Sequence, residues 1–284
     1  MTYTHVNAPT QFVQANGIRF AYRRFGTDSG TPLLFLPHFR AGMDHWDPAV
    51  TDGFAKDCPV ILFDNAGVAS SSGETPNTID AMAEHAAGFV NALGFSKVDL
   101  LGFSIGGFLA QVFSLRHPNV VGRLMLVGTG PRGGEPSKDP NYGQYAASTD
   151  PSTGESGIDA FLYLFFSHSA RGQAAGRAFW ERRHLRKNDV DLPSSPQTME
   201  AQQAAVAEWG QVRGGRFAEL KGIAQPTLVV NGNNDIMIPT INAFTLSQHI
   251  PDAQLIIYPD SGHASLFQYP DLFLSHARTF LGSG

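Results

Sequence analysis

The chain predicts an α/β fold: a mostly parallel, eight-stranded sheet with helices on both faces and a helical cap inserted between two of its strands. Three observations carry this. Short apolar runs alternate with amphipathic stretches along most of the 284 residues, the pattern of repeated strand–helix units. Runs such as "PLLFLP" and "PVILFD" are apolar throughout, as strands covered on both faces are. From about Pro131 to Gly215, by contrast, buried-strand patterning stops and helical spacing takes over.

In chain order, "QFVQANGIRFAYRRFG" reads as a hairpin turning at Asn16-Gly17, a dipeptide suited to a two-residue turn. "PLLFLP" and "PVILFD" supply the third and fourth strands. In "TIDAMAEHAAGFVNALGF", Ile79, Met82, Ala83, Ala86, Phe89, Val90 and Leu93 fall on one helical face; Asn77 or Thr78 can cap its start and Gly94 can end it. "KVDLLGFS" is strand into turn, "GGFLAQVFSLRHP" is helical, and "VGRLMLVGTG" is the sixth strand. "PTLVVNGNND" and "AQLIIYPDSGH" are the last two strands, and a final helix spans about Ser265 to Leu281. The core is therefore expected over residues 1–130 and 216–284, with the cap over 131–215. The cap begins with a long Gly/Pro/Ser-rich connection, "PRGGEPSKDPNYGQYAASTDPSTGESG", and continues in two helical stretches beginning "IDAFLYLFF" and "SPQTMEAQQ". A connection that long is unusual unless it is functional, which favours a lid; surface helices with no gating role are the alternative.

Bulk properties narrow the function classes. A formal net charge of −5 and no large basic block argue against a nucleic-acid partner. The most basic run, "RRHLRK" from Arg182 to Lys187, reads as a solvated helix face. The single cysteine, Cys58, allows no internal disulfide and fits a reducing compartment; just ahead of "PVILFD" it reads as a packing residue. The polar start "MTYTHVNAPT" lacks a signal pattern. No apolar run reaches the ~18 residues a bilayer span needs. The expectation is a soluble, cytoplasmic protein acting on a small molecule, with no membrane partner and homo-oligomer formation left open.

The stretch "LLGFSIGGFLAQ" carries the chemistry. Ser104 sits between Gly102 and Gly106, after a strand and before a helix. A chain turning that sharply pushes one side chain above the sheet edge, and small neighbours relieve the crowding. The helix start beyond it offers free N–H groups and a positive dipole end. A serine hydroxyl needs a base. His263, in "YPDSGHASLF" after the last strand, lies at the edge where ligands gather in such folds. Asp235, after "TLVVNGNN", is placed to orient that histidine. Asp260, three residues before His263, competes for the role but reads better as a turn residue.

With serine, acid and histidine in the order Ser104, Asp235, His263, the sequence resembles the α/β-hydrolase superfamily over nearly its whole length, most weakly over the cap. "DNAGVASSSG" from Asp64 resembles the family's D-x-x-G-x-G-x-S segment, with Ala69 in place of the second glycine and Asp64 structural. "GFSIGG", with Phe103 before the serine, is similar to the arylesterase and cofactor-free haloperoxidase branch. The resemblance implies attack by Ser104 on an ester-like carbonyl, His263 as the base and Asp235 as its partner. It also implies an oxyanion hole of two backbone N–H groups, from Ile105 and from the loop after the third strand. In "FLPHFRAGMDHW", Pro37-His38-Phe39 falls where a His-Gly-aromatic run is usual, so Phe39 is the preferred donor; matching His38 to the family's histidine makes it Arg40 instead. His38 then lies near the pocket.

No metal or organic cofactor is implied. Cap residues Phe161, Tyr163, Leu164, Phe165 and Phe166 either wall an apolar acyl pocket or glue the cap to the core. The expected activity is hydrolysis of a carboxylic ester, thioester or lactone. Cleavage of a carbon–carbon bond beside a ketone, a perhydrolase side activity and a low-turnover receptor on the same scaffold are the alternatives.

Overall fold

The computed structural model describes residues 3–147 and 157–282. β1 (Gln11–Ala15) and β2 (Ile18–Gly26) form an antiparallel hairpin. Its turn residues Asn16 and Gly17 have φ of 52° and 78°, the left-handed pair that a type I′ turn requires. β3 (Leu33–Leu36), β4 (Pro59–Phe63), β5 (Val98–Phe103), β6 (Val121–Val127), β7 (Thr227–Gly232) and β8 (Ala253–Tyr258) complete one eight-stranded sheet in the order β1-β2-β4-β3-β5-β6-β7-β8. β2 pairs antiparallel with β4, and every pairing from β4 to β8 is parallel. The parallel strands therefore share one C-terminal edge.

Alternate strand residues supply the two core layers, because successive side chains point to opposite faces. Leu34, Ile61, Phe63 and Leu100 pack with α2 (Ile79–Ala92) and α3 (Ile105–Arg116). Phe35, Leu62, Leu101 and Phe103 pack on the other side with α1 (Pro48–Phe54) and α10 (Pro270–Gly282). A buried Phe or Leu stabilises by about 1.5–3 kcal/mol and an exposed ion pair by about 0–1 kcal/mol, so these layers dominate. In α2, Thr78 caps the start by accepting from the Ala81 N–H, Gly94 follows its end at φ 77°, and the six residues from Ile79 to Val90 on the apolar face are buried.

Between β6 and β7 the chain inserts α4 (Tyr142–Ala147), α5 (Ile158–Phe165), α6 (Ala170–Arg183) and α7 (Pro196–Trp209). Phe161, Phe165 and Phe179 of α5 and α6 join one core layer, whereas Ala205 and Trp209 of α7 join the other. The insertion thus straddles the sheet edge. Residues 148–156 of the Gly/Pro/Ser-rich connection lie outside the described residues.

Several expectations need correction. The final helix is two: α9 (Ser265–Gln268) stops and α10 starts at Pro270, whose ring and missing N–H prevent a continuous helix. α1, opened by Asp47 accepting from the Ala49 N–H with Pro48 at its first position, and α8 (Ile241–His249) are helices beyond those predicted. "RRHLRK" is not a solvated face. Arg182 makes a two-point contact with Asp47 at 2.6 and 2.9 Å, and Arg183 and Arg186 are each 6% exposed. Arg186 donates to the carbonyls of His5, Val6 and Ala8; a guanidinium has enough donors to be buried when carbonyls surround it. Cys58 is half-buried beside the core layer that holds α1, and burial together with Asp99 and Asp57 pushes its thiol up to about 12. Among the described residues, no helix is long and apolar enough to cross a membrane.

Candidate active site

Four chain segments leave the C-terminal sheet edge side by side: Pro37–Arg40 after β3, Ser104 after β5, Asp235 after β7 and His263 after β8. The parallel register sets this. Leu36 lies opposite Gly102, and Phe103 opposite Val127, so residues far apart in sequence emerge at one level.

Ser104 has φ 57° and ψ −122°, a conformation that costs a non-glycine residue about 1–3 kcal/mol. The surroundings enforce it. Its N–H donates to the Val127 carbonyl at 3.0 Å, and its carbonyl accepts from Thr129 Oγ1 at 2.8 Å. A Cβ on Gly102 would meet Gly106 O at 2.5 Å, and one on Gly106 would strike the Leu36 carbonyl. Both glycines are thus needed to bring the strand, the turn and α3 together. Ile105 opens α3, so its N–H has no acceptor within the helix.

His263 and Asp235 are in contact. His263 Nδ1 donates to Asp235 Oδ2 at 2.8 Å, with both side chains 0% exposed. Asp235 Oδ1 accepts from the N–H groups of Met237 and Ile238, each at 2.9 Å, which fixes the carboxylate plane. With its proton on Nδ1, His263 keeps Nε2 as its basic nitrogen; that atom is buried and without a hydrogen-bond partner. The Ser104 hydroxyl does not bond to it in this state, and such bonds are often long until substrate is bound. Phe103 and Phe165 pack on the imidazole, with ring centroids at 5.1 and 5.4 Å. Asp260 is engaged elsewhere, accepting from Ser169 Oγ at 2.7 Å.

In the loop after β3, the Arg40 N–H donates to Gln202 Oε1 of α7 at 2.6 Å. The Phe39 N–H has no acceptor among the described residues. His38 Nδ1 donates to the Phe39 carbonyl at 3.1 Å, so its Nε2 carries the lone pair. Burial, helped by the nearby charge of Arg183, holds His38 down to about 3, which keeps it neutral. Asp64 accepts from the Met43 and Ser70 N–H groups; burial and the charge of Asp191 push its carboxyl well above the usual range. Ala69, standing where a glycine is usual, adopts φ 45°.

A cavity of about 370 Å³ opens over this edge. Ser104, His38, Phe161, Leu164 and Phe165 line it. Tyr163 and Phe166 do not: Tyr163 stacks on Tyr145 and donates to Asp139, and Phe166 packs against Phe179. On an eight-residue helix, positions 161, 164 and 165 share one side and 163 the other, a signal already present in the spacing. Sequence reasoning missed His45, Arg183, Met237 and Ile238, which also line the cavity. Burial and the charge of Arg183 hold His45 well below its ordinary pKa. Among the described residues, no group of three His, Cys, Asp or Glu side chains is placed to hold a metal ion.

The α/β-hydrolase-fold family matches residues 31–270. The chain belongs to that family. An α/β-hydrolase-fold protein from Chitinophaga pinensis superimposes with a TM-score of 0.91 at 37% identity, over 99% of this chain and 100% of that one. The pimeloyl-[acyl-carrier protein] methyl ester esterase of Nitrosomonas europaea is 27% identical over 258 residues, 88% of this chain and 95% of that protein. A 2-hydroxymuconate semialdehyde hydrolase of Pseudomonas sp. strain CF600 is 26% identical over 279 residues, 94% of this chain and 92% of that one. This α/β hydrolase is therefore homologous both to esterases and to meta-cleavage product hydrolases.

Proposed function

We propose that the protein is a serine hydrolase that cleaves a carboxylic ester, thioester or lactone of a small, largely apolar substrate through an acyl-serine. The observation that carries this is the buried His263–Asp235 hydrogen bond of 2.8 Å, which leaves Nε2 as a base with no other partner at the sheet edge where Ser104 lines the cavity. In the first step Ser104 Oγ bonds to the carbonyl carbon while its proton passes to His263 Nε2. The carbonyl electron pair moves onto oxygen, held by the N–H groups of Phe39 and Ile105. Phe39 is assigned because the Arg40 N–H is already taken by Gln202. The carbon–oxygen bond to the alcohol (or carbon–sulfur bond to the thiol) then breaks, and His263 returns the proton to the leaving group. Water, deprotonated by the same imidazole, releases the acid and restores the hydroxyl.

On this reading residues 131–215 form a cap over a core of residues 1–130 and 216–284, and the faces of Phe161, Leu164 and Phe165 hold the acyl part. His38 adds an acceptor for a substrate donor. The single cysteine supports a cytoplasmic setting.

Cleavage of a carbon–carbon bond beside a ketone is the second reading, favoured by the 26% identity to the semialdehyde hydrolase over 94% of this chain. Ser104→Ala tests what both readings share: it abolishes turnover and fluorophosphonate labelling while leaving the circular dichroism unchanged. Near-wild-type activity in a folded Ser104→Ala protein would end both. Nitrophenyl esters against dienol-ketones then separate the two.

A further inference from the structure

The loop after β3 is held less by the core than by the inserted segment. Besides the adjacent His45, whose Nδ1 accepts from the Gly42 N–H at 3.2 Å, four side chains from elsewhere in the chain bond to the backbone of residues 40–44. One is from the core: Asp64 accepts from the Met43 N–H at 3.0 Å. Three come from the stretch between α6 and the middle of α7. Asp191 accepts from the Asp44 N–H at 2.7 Å, Ser194 donates to the Arg40 carbonyl at 2.6 Å, and Gln202 accepts from the Arg40 N–H at 2.6 Å.

These bonds bear on the direction of the Phe39 N–H. Arg40 sits at φ 61°, a left-handed conformation that a non-glycine residue holds only when its surroundings impose it. The peptide joining Phe39 to Arg40 is gripped at both ends: its carbonyl takes the His38 Nδ1 proton at 3.1 Å, and its N–H goes to Gln202. The preceding peptide joins His38 to Phe39. Its carbonyl accepts from the Ala41 N–H at 3.0 Å, and its own N–H is the proposed oxyanion donor. With its own carbonyl bonded and the following peptide fixed, that N–H has one direction. Gln202 itself is 1% exposed and, unlike its neighbour Gln203, does not line the cavity.

We propose that Gln202 is a positioning residue: from the inserted helix α7 it fixes the Arg40 peptide and thereby aims the Phe39 N–H at the oxyanion. This rests on the serine-hydrolase reading above. It assigns part of the oxyanion hole to the cap, so that the cap completes the catalytic machinery besides covering the substrate. The left-handed Arg40, at φ 61°, is thereby held by bonds from outside the loop.

The test compares Gln202→Met, which keeps the length but removes the acceptor, with Gln202→Glu, which keeps an oxygen at that place. Active sites are titrated with a fluorophosphonate, so that turnover is counted per reactive Ser104 and any unfolded share drops out. The expected result for Gln202→Met is a kcat lowered roughly 10- to 100-fold, short of the ~10²–10³-fold cost of losing a donor outright, with KM for a nitrophenyl ester within about twofold because Gln202 does not touch the cavity. Gln202→Glu should recover kcat to within about fivefold of wild type, the cost of a buried charge being partly offset by its stronger hydrogen bond. If Gln202→Met does not fold, Gln202→Asn, whose oxygen falls one methylene short, shows the same kcat loss. A per-site kcat near wild type in the methionine or asparagine variant overturns the proposal, as do equal losses in Gln202→Met and Gln202→Glu. If wild-type Ser104 takes no label and no ester is turned over, it is the serine-hydrolase reading that fails; labelling and turnover that survive every Gln202 substitution sink the positioning role alone.

Discussion

Replacing Asp235 with Asn probes the proposed triad at the point where the structure dictates the outcome. Asp235 Oδ1 accepts from two backbone N–H groups, those of Met237 and Ile238 at 2.9 Å each. An asparagine must put its own oxygen there, because an NH₂ facing two donors would leave three polar groups unsatisfied in a buried site. The NH₂ is then forced to the place of Oδ2, 2.8 Å from His263 Nδ1. Facing a donor, Nδ1 becomes the acceptor and the imidazole proton moves to Nε2, the nitrogen required as the base. The histidine is thus held in the wrong tautomer without any movement of the fold. Loss of the triad acid by such a swap typically costs ~10⁴-fold in turnover, about 5–6 kcal/mol at ~1.4 kcal/mol per tenfold. Stability should change by much less, about 1–3 kcal/mol for one altered buried hydrogen bond. The assay is kcat/KM on a nitrophenyl ester, with the rate of fluorophosphonate labelling of Ser104 and a urea midpoint beside it. Both rates should fall together. A loss under tenfold in a protein that unfolds cooperatively would show that His263 does not depend on Asp235 for its tautomer, and the triad assignment would go with it.

Gly106→Ala should destabilise the protein by more than about 3 kcal/mol, beyond ordinary overpacking, because the new Cβ meets the backbone carbonyl of Leu36, which no side-chain rotation can move; a urea midpoint within error of wild type would contradict this. His5, 1% exposed, is held down to about 4, first by burial and then by the charges of Arg23 and Arg186, against the opposing pull of Asp44. Its folded pKa lies below its ordinary value of 6.5, so its contribution is present above pH 6.5 and is lost as pH falls through about 4, a loss of about 3 kcal/mol by linkage. Urea midpoints at pH 7 and pH 4 should therefore diverge more in wild type than in His5→Gln, and matching pH profiles would refute the assignment.

What could be read from the sequence was local in origin. The hairpin at Asn16-Gly17, the doubly buried strands and the capped helix α2 each depend on residues within a few positions of one another, and each stands where its pattern placed it. Ser104, Asp235 and His263 could be singled out for the same reason. Each follows a strand, and a parallel sheet brings strand ends to one edge whatever the loops between them do. Burial of the arginines had no such signal. In "RRHLRK" the charge pattern was visible, but the groups receiving those charges were not: Arg182 bonds to Asp47, 135 residues away, and Arg186 to the Ala8 carbonyl, 178 residues away.

The helical insertion shows why that distinction matters for function. Its apolar residues could be counted in advance, and spacing alone separates Phe161, Leu164 and Phe165 from Tyr163. The bond from Gln202 to the Arg40 N–H, by contrast, joins residues 162 positions apart, and glutamine in a helix otherwise reads as a solvated position. Yet this buried contact is what favours Phe39 over Arg40 as the proposed donor. If Arg40 supplied the oxyanion N–H, Gln202 would have to release it first, at the cost of a buried, unsatisfied carbonyl. Phe39 needs no such rearrangement. An inserted helix that carries such a bond cannot shift far from the sheet edge without also releasing the loop that faces the nucleophile.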